Sequence, residues 1–128
     1  MNVKIDTKEK FSVITPVEKQ MAANMTEELE KLLQSFLIAD NPHLVLNMSQ
    51  VQDLAAEPAE KISSVQQEFY ENNSSFVVCE LREQPEKLLD EMGLLEFMNV
   101  TPTESEAWDI VQMEEIEREL LNDFDEQA

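Results

Sequence analysis

The chain has 128 residues, enough for one ordinary domain and little more. At 42% hydrophobic residues it can bury a core, so disorder is not the expectation. Twenty-eight acids against nine bases leave a net charge of −19, which repels phosphate backbones and anionic bilayers and argues against nucleic-acid binding.

The N-terminus, Met1 to Asp6, alternates instead of forming an apolar signal core, so no export signal is expected. Val3 to Asp6 reads as a first strand and Phe11 to Val17 as a second, ending near Pro16, which cannot donate to a ladder. The short polar stretch between them, Asp6 to Lys10, suits a hairpin loop. Met25, Leu29, Leu32, Leu33, Phe36 and Leu37 fall on one face of a helix. Asn24 and Glu27 resemble a capping box at its start, and Asp40-Asn41-Pro42 is the expected stop.

Leu44 to Met48 is a nearly continuous apolar run. It suits a strand covered on both faces, which requires helices packed on the sheet. Pro58 suits the first position of a second helix, whose apolar residues are Ala59, Ile62, Val65 and Phe69. Asn72-Asn73-Ser74 breaks that pattern, and Phe76 to Cys79 is another buried-type strand. Pro85 begins a short helix carrying Leu88, Leu89 and Met92, with Gly93, the sole glycine, placed to cap its end. Met98 to Thr101 is a weak last strand, and Thr103 with Glu106 makes a capping box for the final helix. The order β-β-α-β-α-β-α-β-α predicts an α/β fold with a mixed sheet, mostly parallel after the first hairpin.

The chemistry-bearing residues are few. A single Cys79 permits no internal disulfide and is compatible with a reducing cytoplasm. With one cysteine and one histidine, His43, there is no zinc set, and nothing in their spacing brings them together as a nucleophile pair. One glycine excludes the usual phosphate-cradling loops. Asp53 and Glu57 flank the loop after the central strand, but an acid pair is unspecific in so acidic a chain. No cofactor and no metal are expected.

From about Val3 to Val111 the chain resembles a STAS domain, the fold of bacterial anti-sigma-factor antagonists. The resemblance rests on the strand Leu44 to Met48, the loop Val51 to Pro58, the segment Leu88 to Phe97 around Gly93-Leu94, and Thr103 to Ala107, which matches the Thr-x-x-Glu-Ala start of the family's last helix. It implies a cytoplasmic, non-enzymatic regulator of bacterial transcription signalling that binds an anti-sigma factor or a similar kinase-like protein. No apolar run approaches the roughly 20 residues needed to span a bilayer, so no membrane insertion is expected.

Family members usually carry Asp-Ser-Ser-Gly after the central strand, and the second serine is phosphorylated. Here Ala55, Ala56, Glu57 and Pro58 occupy those places. Glu57 stands at the acceptor position with one charge and no hydroxyl. It reads either as a fixed imitation of phosphoserine or as an acid favoured at a helix N-terminus. The implied contact surface is Asp53, Leu54, Ala55, Ala56, Glu57 and Pro58, with Glu60 and Lys61 on the following helix. Two other roles stay open: an accessory subunit that binds the ATPase of a lipid transporter, which the resemblance also allows, and a small-ligand sensor or enzyme.

The last helix changes its apolar face. Ala107, Ile110 and Val111 share the face that should pack on the sheet. Met113, Ile116, Leu120 and Phe124 then repeat at 3, 4 and 4, about 140° round the helix. The expected division is a STAS-like domain over residues 1–112 and a helical extension over 113–128. Together with Trp108, the second stripe is either an interface, for a partner or a homodimer, or a cover for an edge of its own domain.

Overall fold

The computed structural model describes residues 1–39 and 42–127, with side-chain burial described through Asn122. Strands β1 (Val3–Thr7) and β2 (Phe11–Pro16) form the antiparallel hairpin, with Val3 opposite Pro16. A two-residue strand β3 (Gln20–Met21) and a 3₁₀ turn (Ala23–Met25) lead into helix α1 (Thr26–Ser35). Then follow β4 (His43–Asn47), β5 (Asp53–Leu54), α2 (Ala56–Glu71), β6 (Phe76–Cys79), α3 (Glu83–Glu91), β7 (Val100–Thr101) and α4 (Glu104–Gln127).

The main sheet has the order β1-β2-β4-β6-β7, and every pairing after the first hairpin is parallel. The architecture is therefore the mixed α/β sheet that the element order predicts. A second, two-stranded parallel ribbon joins β3 to β5. Pairs of residues leave no alternation to detect, so sequence pattern could not reveal it.

All five residues of β4 are buried, and the strand alternates between two cores. Leu44 and Leu46 face a large cluster with Ile14, Leu29, Leu33, Ile62, Val65, Phe69, Phe76, Val78 and Leu89, drawn from α1, α2 and α3. Val45 faces a smaller cluster with Phe11, Val13, Val77, Cys79, Ala107 and Val111, closed by α4. Three helices thus cover one face of the sheet and one helix covers the other. Phe69 and Phe76 meet edge to face with centroids 5.0 Å apart, worth about 0.5–1.5 kcal/mol beyond their burial.

Buried polar groups are tied off where the sheet ends. Gln66 donates to the carbonyls of Phe76 and Asn99 and accepts from the Asn99 N–H, so its amide fastens β7 to β6 from the helix side.

Helix ends follow the residues in some places and not in others. Gly93, at φ +71, ends α3 in a Schellman motif: its N–H donates to the Asp90 carbonyl and the Leu94 N–H to that of Leu89. Asn73, at φ 59, does the same for α2, its N–H reaching Tyr70 while the Ser74 N–H reaches Phe69. The Thr103 hydroxyl accepts from the Glu106 N–H and caps α4. The expected box at Asn24 does not form, because residues 23–25 tighten into a 3₁₀ turn and the Thr26 hydroxyl donates back to the Ala23 carbonyl. Pro58 and Pro85 sit at the third helical position, not the first; both helices begin two residues earlier, where the missing proline N–H still costs no helical bond. Helix α1 ends at Ser35 and turns follow; of its expected stop, Asp40 and Asn41 lie outside the described residues.

Candidate functional site

The loop after β4 is held from three sides. The Met48 N–H donates to the Cys79 carbonyl, and the Val51 N–H turns the chain back onto Met48. The N–H groups of Gln52 and Asp53 both donate to the Lys19 carbonyl, and that of Ala55 donates to Met21, so β3 fixes the path of the loop. From α3, Gln84 clamps Leu54: its side-chain oxygen accepts the Leu54 N–H at 2.7 Å and its amide donates to the Leu54 carbonyl at 3.1 Å. Both polar groups of that residue are thereby satisfied on the edge of β5 away from β3.

The strand end beneath the loop carries a second polar knot. The Asn47 amide donates to Glu80 and Glu104, while its oxygen accepts the Ser49 N–H at 2.9 Å. Glu80 takes a left-handed backbone, φ 55, at this point. Gln84, Asn47 and the β3–β5 ribbon position the loop, yet none was legible beforehand. A glutamine in a first helical turn and an asparagine ending an apolar run are too common to single out.

Of the expected contact residues, Asp53, Ala56, Glu57 and Glu60 are exposed, and Ala55 and Lys61 are half-buried. Leu54 and Pro58 are buried and anchor the turn instead of presenting a side chain. Ala55 is the N-cap of α2 in extended conformation, and no side chain caps this end. Glu57 stands in the first turn, where a carboxylate is favoured by the helix dipole, by about 0.3–1 kcal/mol at a surface site. Lys61 is turned toward α1, 2.8 Å from Glu30, and that hydrogen bond and charge raise its pKa.

Two shallow depressions flank the loop. One, about 410 Å³, is lined by Thr26, Glu57, Glu60, Lys61 and Ser64; the other, about 440 Å³, by Gln52, Arg82, Glu83, Gln84 and Lys87. The hydroxyls that line the first depression with Glu57 are those of Thr26 and Ser64, which come from α1 and from two turns further along α2. This is a shelf of mixed charge on a pinned backbone, with the acids Glu57 and Glu60 beside Lys61 on one side and Glu83 beside Arg82 and Lys87 on the other, suited to contact with another surface.

His43 and Cys79 are far apart. They occupy opposite ends of the paired strands β4 and β6, about 13 Å at the rise of a strand. Cys79 is buried, and its thiol is pushed up to about 12 by burial first and by Glu80 and Glu104 second. His43 accepts the Ser75 N–H on Nδ1, so Nε2 carries the proton and reaches Glu115 on α4 at 2.5 Å. No three or more His, Cys, Asp or Glu side chains among the described residues converge as a metal site.

The second group of expected contact residues lies on α4, which runs unbroken across residue 112. Trp108 is half-buried, meeting Phe11 edge to face at 5.2 Å with Lys8 over its ring. Met113, Ile116 and Leu120 are exposed. The side chain of Phe124 lies outside the described residues.

The STAS domain profile matches residues 2–107. An anti-sigma factor antagonist from Mycobacterium paratuberculosis is similar over 87% of this chain and 93% of its own, at 16% identity and a TM-score of 0.76. An anti-sigma-factor antagonist (STAS) domain protein from Planctomyces limnophilus is similar over 86% and 97%, at 14% identity and a TM-score of 0.70. A serine-to-glutamate variant of RsbS from Moorella thermoacetica is similar over 88% and 96%, at 18% identity and a TM-score of 0.71. At such identities these likenesses bear on the fold. No curated protein sequence is similar enough to match. No described helix is long and apolar enough to cross a membrane. Profile, element order and sheet topology agree, and the chain belongs to the STAS domain family.

Proposed function

We propose that this chain is a non-enzymatic protein-interaction regulator of the anti-sigma-factor-antagonist kind, one that works without phosphorylation of its loop. The observation that carries the reading is the turn at the start of α2. Its backbone is pinned by Lys19, Met21 and Gln84, and its exposed groups are Asp53, Ala56, Glu57 and Glu60. A carboxylate stands where the resemblance expects a phosphate acceptor. It supplies about half the charge of a phosphoserine, permanently. The antagonists among the structurally similar proteins support a protein partner as the target. Shallow, open depressions beside the loop favour a protein surface over an enclosed small substrate.

The test is affinity capture from the native host with the wild-type chain and with Glu57→Arg/Glu60→Arg. A captured anti-sigma factor or kinase-like protein that the substitution releases is the expected result. A transporter ATPase released in the same way would replace this reading with that of an accessory subunit. A partner that the loop substitution leaves bound would overturn the assignment of the loop. Incubation with an anti-sigma kinase and ATP should leave residues 51–61 unmodified, and a phosphopeptide from that window would refute the absence of a switch.

A further inference from the structure

We propose that the outward face of α4, formed by Met113, Ile116 and Leu120, is a docking strip for a cationic amphipathic helix of another protein. The inference does not depend on the role of the loop, which lies elsewhere on the molecule. It begins from the way α4 is fastened. Ala107 and Val111 are buried on the sheet. Glu114 accepts from the Tyr70 hydroxyl at 2.8 Å, Glu115 meets His43, and Arg118 donates to the Ser75 hydroxyl at 2.9 Å. At about 100° per residue these five positions fall within one arc of roughly 100°. The helix is therefore held at both its apolar and its polar contacts and cannot roll. Met113, Ile116 and Leu120 lie on the opposite side and are 54%, 55% and 63% exposed.

Their 3-and-4 spacing is the seam by which one helix packs on another. What would lie across it is decided by charge. Helix α4 carries ten acids and one base. The base, Arg118, is turned inward onto Ser75 and Glu115. Glu117 and Glu119 flank the seam. A second copy laid on this face would bring like carboxylates together, and an anionic bilayer would be repelled. A helix with lysines or arginines beside an apolar stripe meets both requirements at once. Along its Ile116 side the strip borders a cavity of about 440 Å³ lined by Phe11, Trp108 and Val111, with Lys8 and Lys10 on its β1–β2 side and Glu115 and Glu119 on its α4 side, room for one large apolar anchor of that helix whose basic residues lie toward α4.

The experiment uses the full chain and a fluorescein-labelled 18-residue amphipathic peptide of leucine and lysine, read by anisotropy at near-physiological salt. A peptide of the same composition, scrambled to abolish its apolar face, is the control. Met113→Gln/Ile116→Gln/Leu120→Gln keeps the net charge and the helix propensity. It should weaken binding by about tenfold or more, down to the level of the scrambled control. Ile116→Lys alone should weaken it too, should the triple variant lose helix by circular dichroism. Equal affinity of the wild-type and substituted chains would reduce the effect to bulk charge and overturn the proposal. It is equally overturned by a wild-type dimer in sedimentation that the triple variant dissolves, or by binding to anionic phosphatidylglycerol vesicles that the same substitutions abolish.

Discussion

Cys79 should control part of the stability of this protein in alkali. Its thiol ends β6 within the apolar cluster under α4, with Glu80 and Glu104 nearby. Burial and those carboxylates both penalise the thiolate and push the pKa from 9.0 up to about 12. A raised pKa means that the folded chain holds the proton more tightly than the unfolded chain. The associated stability is therefore complete below pH 9 and is lost as the pH rises from 9 toward 12. Within that window one such group costs about 1.4 kcal/mol per pH unit.

Cys79→Ala removes the titration. At pH 7 the variant should be less stable by about 1–2 kcal/mol, for the lost sulfur and the small void. Between pH 9.5 and 10.5 the two stability curves should then converge by about 1.4 kcal/mol. The raised pKa of the Met1 amine and of Lys61, and the Tyr70 phenol pushed up to about 12, are shared by both proteins and cancel in the difference. Urea unfolding followed by far-ultraviolet circular dichroism at half-unit pH steps is the measurement. Parallel curves through the window would refute the reasoning, because they would mean that the thiol ionises equally easily folded and unfolded.

Two further changes test the fastening of the fold. Tyr70→Phe removes a hydroxyl that donates to Glu114 and accepts from Asn99 at 2.7 Å, so it should cost about 1–2 kcal/mol in urea unfolding. Hydrogen exchange should rise in α4 ahead of the sheet, and an unchanged midpoint would mean that the tether carries no net stability. Gly93→Ala should cost about 1–2 kcal/mol, since the left-handed backbone at φ +71 is the sole penalty: an added Cβ meets nothing within 4 Å. A much larger thermal shift would require a clash that the surroundings of Gly93 do not contain.

Regular periodicity made most of the fold legible in advance. The run Leu44 to Met48 announced a strand with two covered faces, and both cores are present on either side of it. Gly93 announced its cap because φ above zero is cheap for glycine alone. What could not be read is short or reciprocal. The β3–β5 ribbon contributes only two residues per strand, and the Gln84 clamp on Leu54 joins positions 30 apart. The capping box expected at Asn24 does not form because the chain there takes a 3₁₀ turn tied by the Thr26 hydroxyl, which no residue spacing distinguishes from a helix start. The loop was legible as a place, since it follows the central strand. Which of its residues face outward was not: Pro58 and Leu54 are inward, and no spacing rule separates them from Glu57.

On the proposed reading, the two candidate surfaces share one physical property. Around the loop the exposed charges include Asp53, Glu57, Glu60 and Glu83 with Arg82 and Lys87; around the α4 strip they include Glu117, Glu119 and Glu9 with Lys10. Such surfaces are regulated by what competes for them and by ionic strength, which screens exposed charge beyond about 8 Å at physiological salt. Apolar contact is not screened. Salt should therefore weaken recognition at the loop, where the exposed side chains are mostly acids, more than recognition at α4, where Met113, Ile116 and Leu120 supply the contact. On that reading the fixed carboxylate at position 57 and the fixed orientation of α4 have one consequence in common: specificity is set when the chain folds.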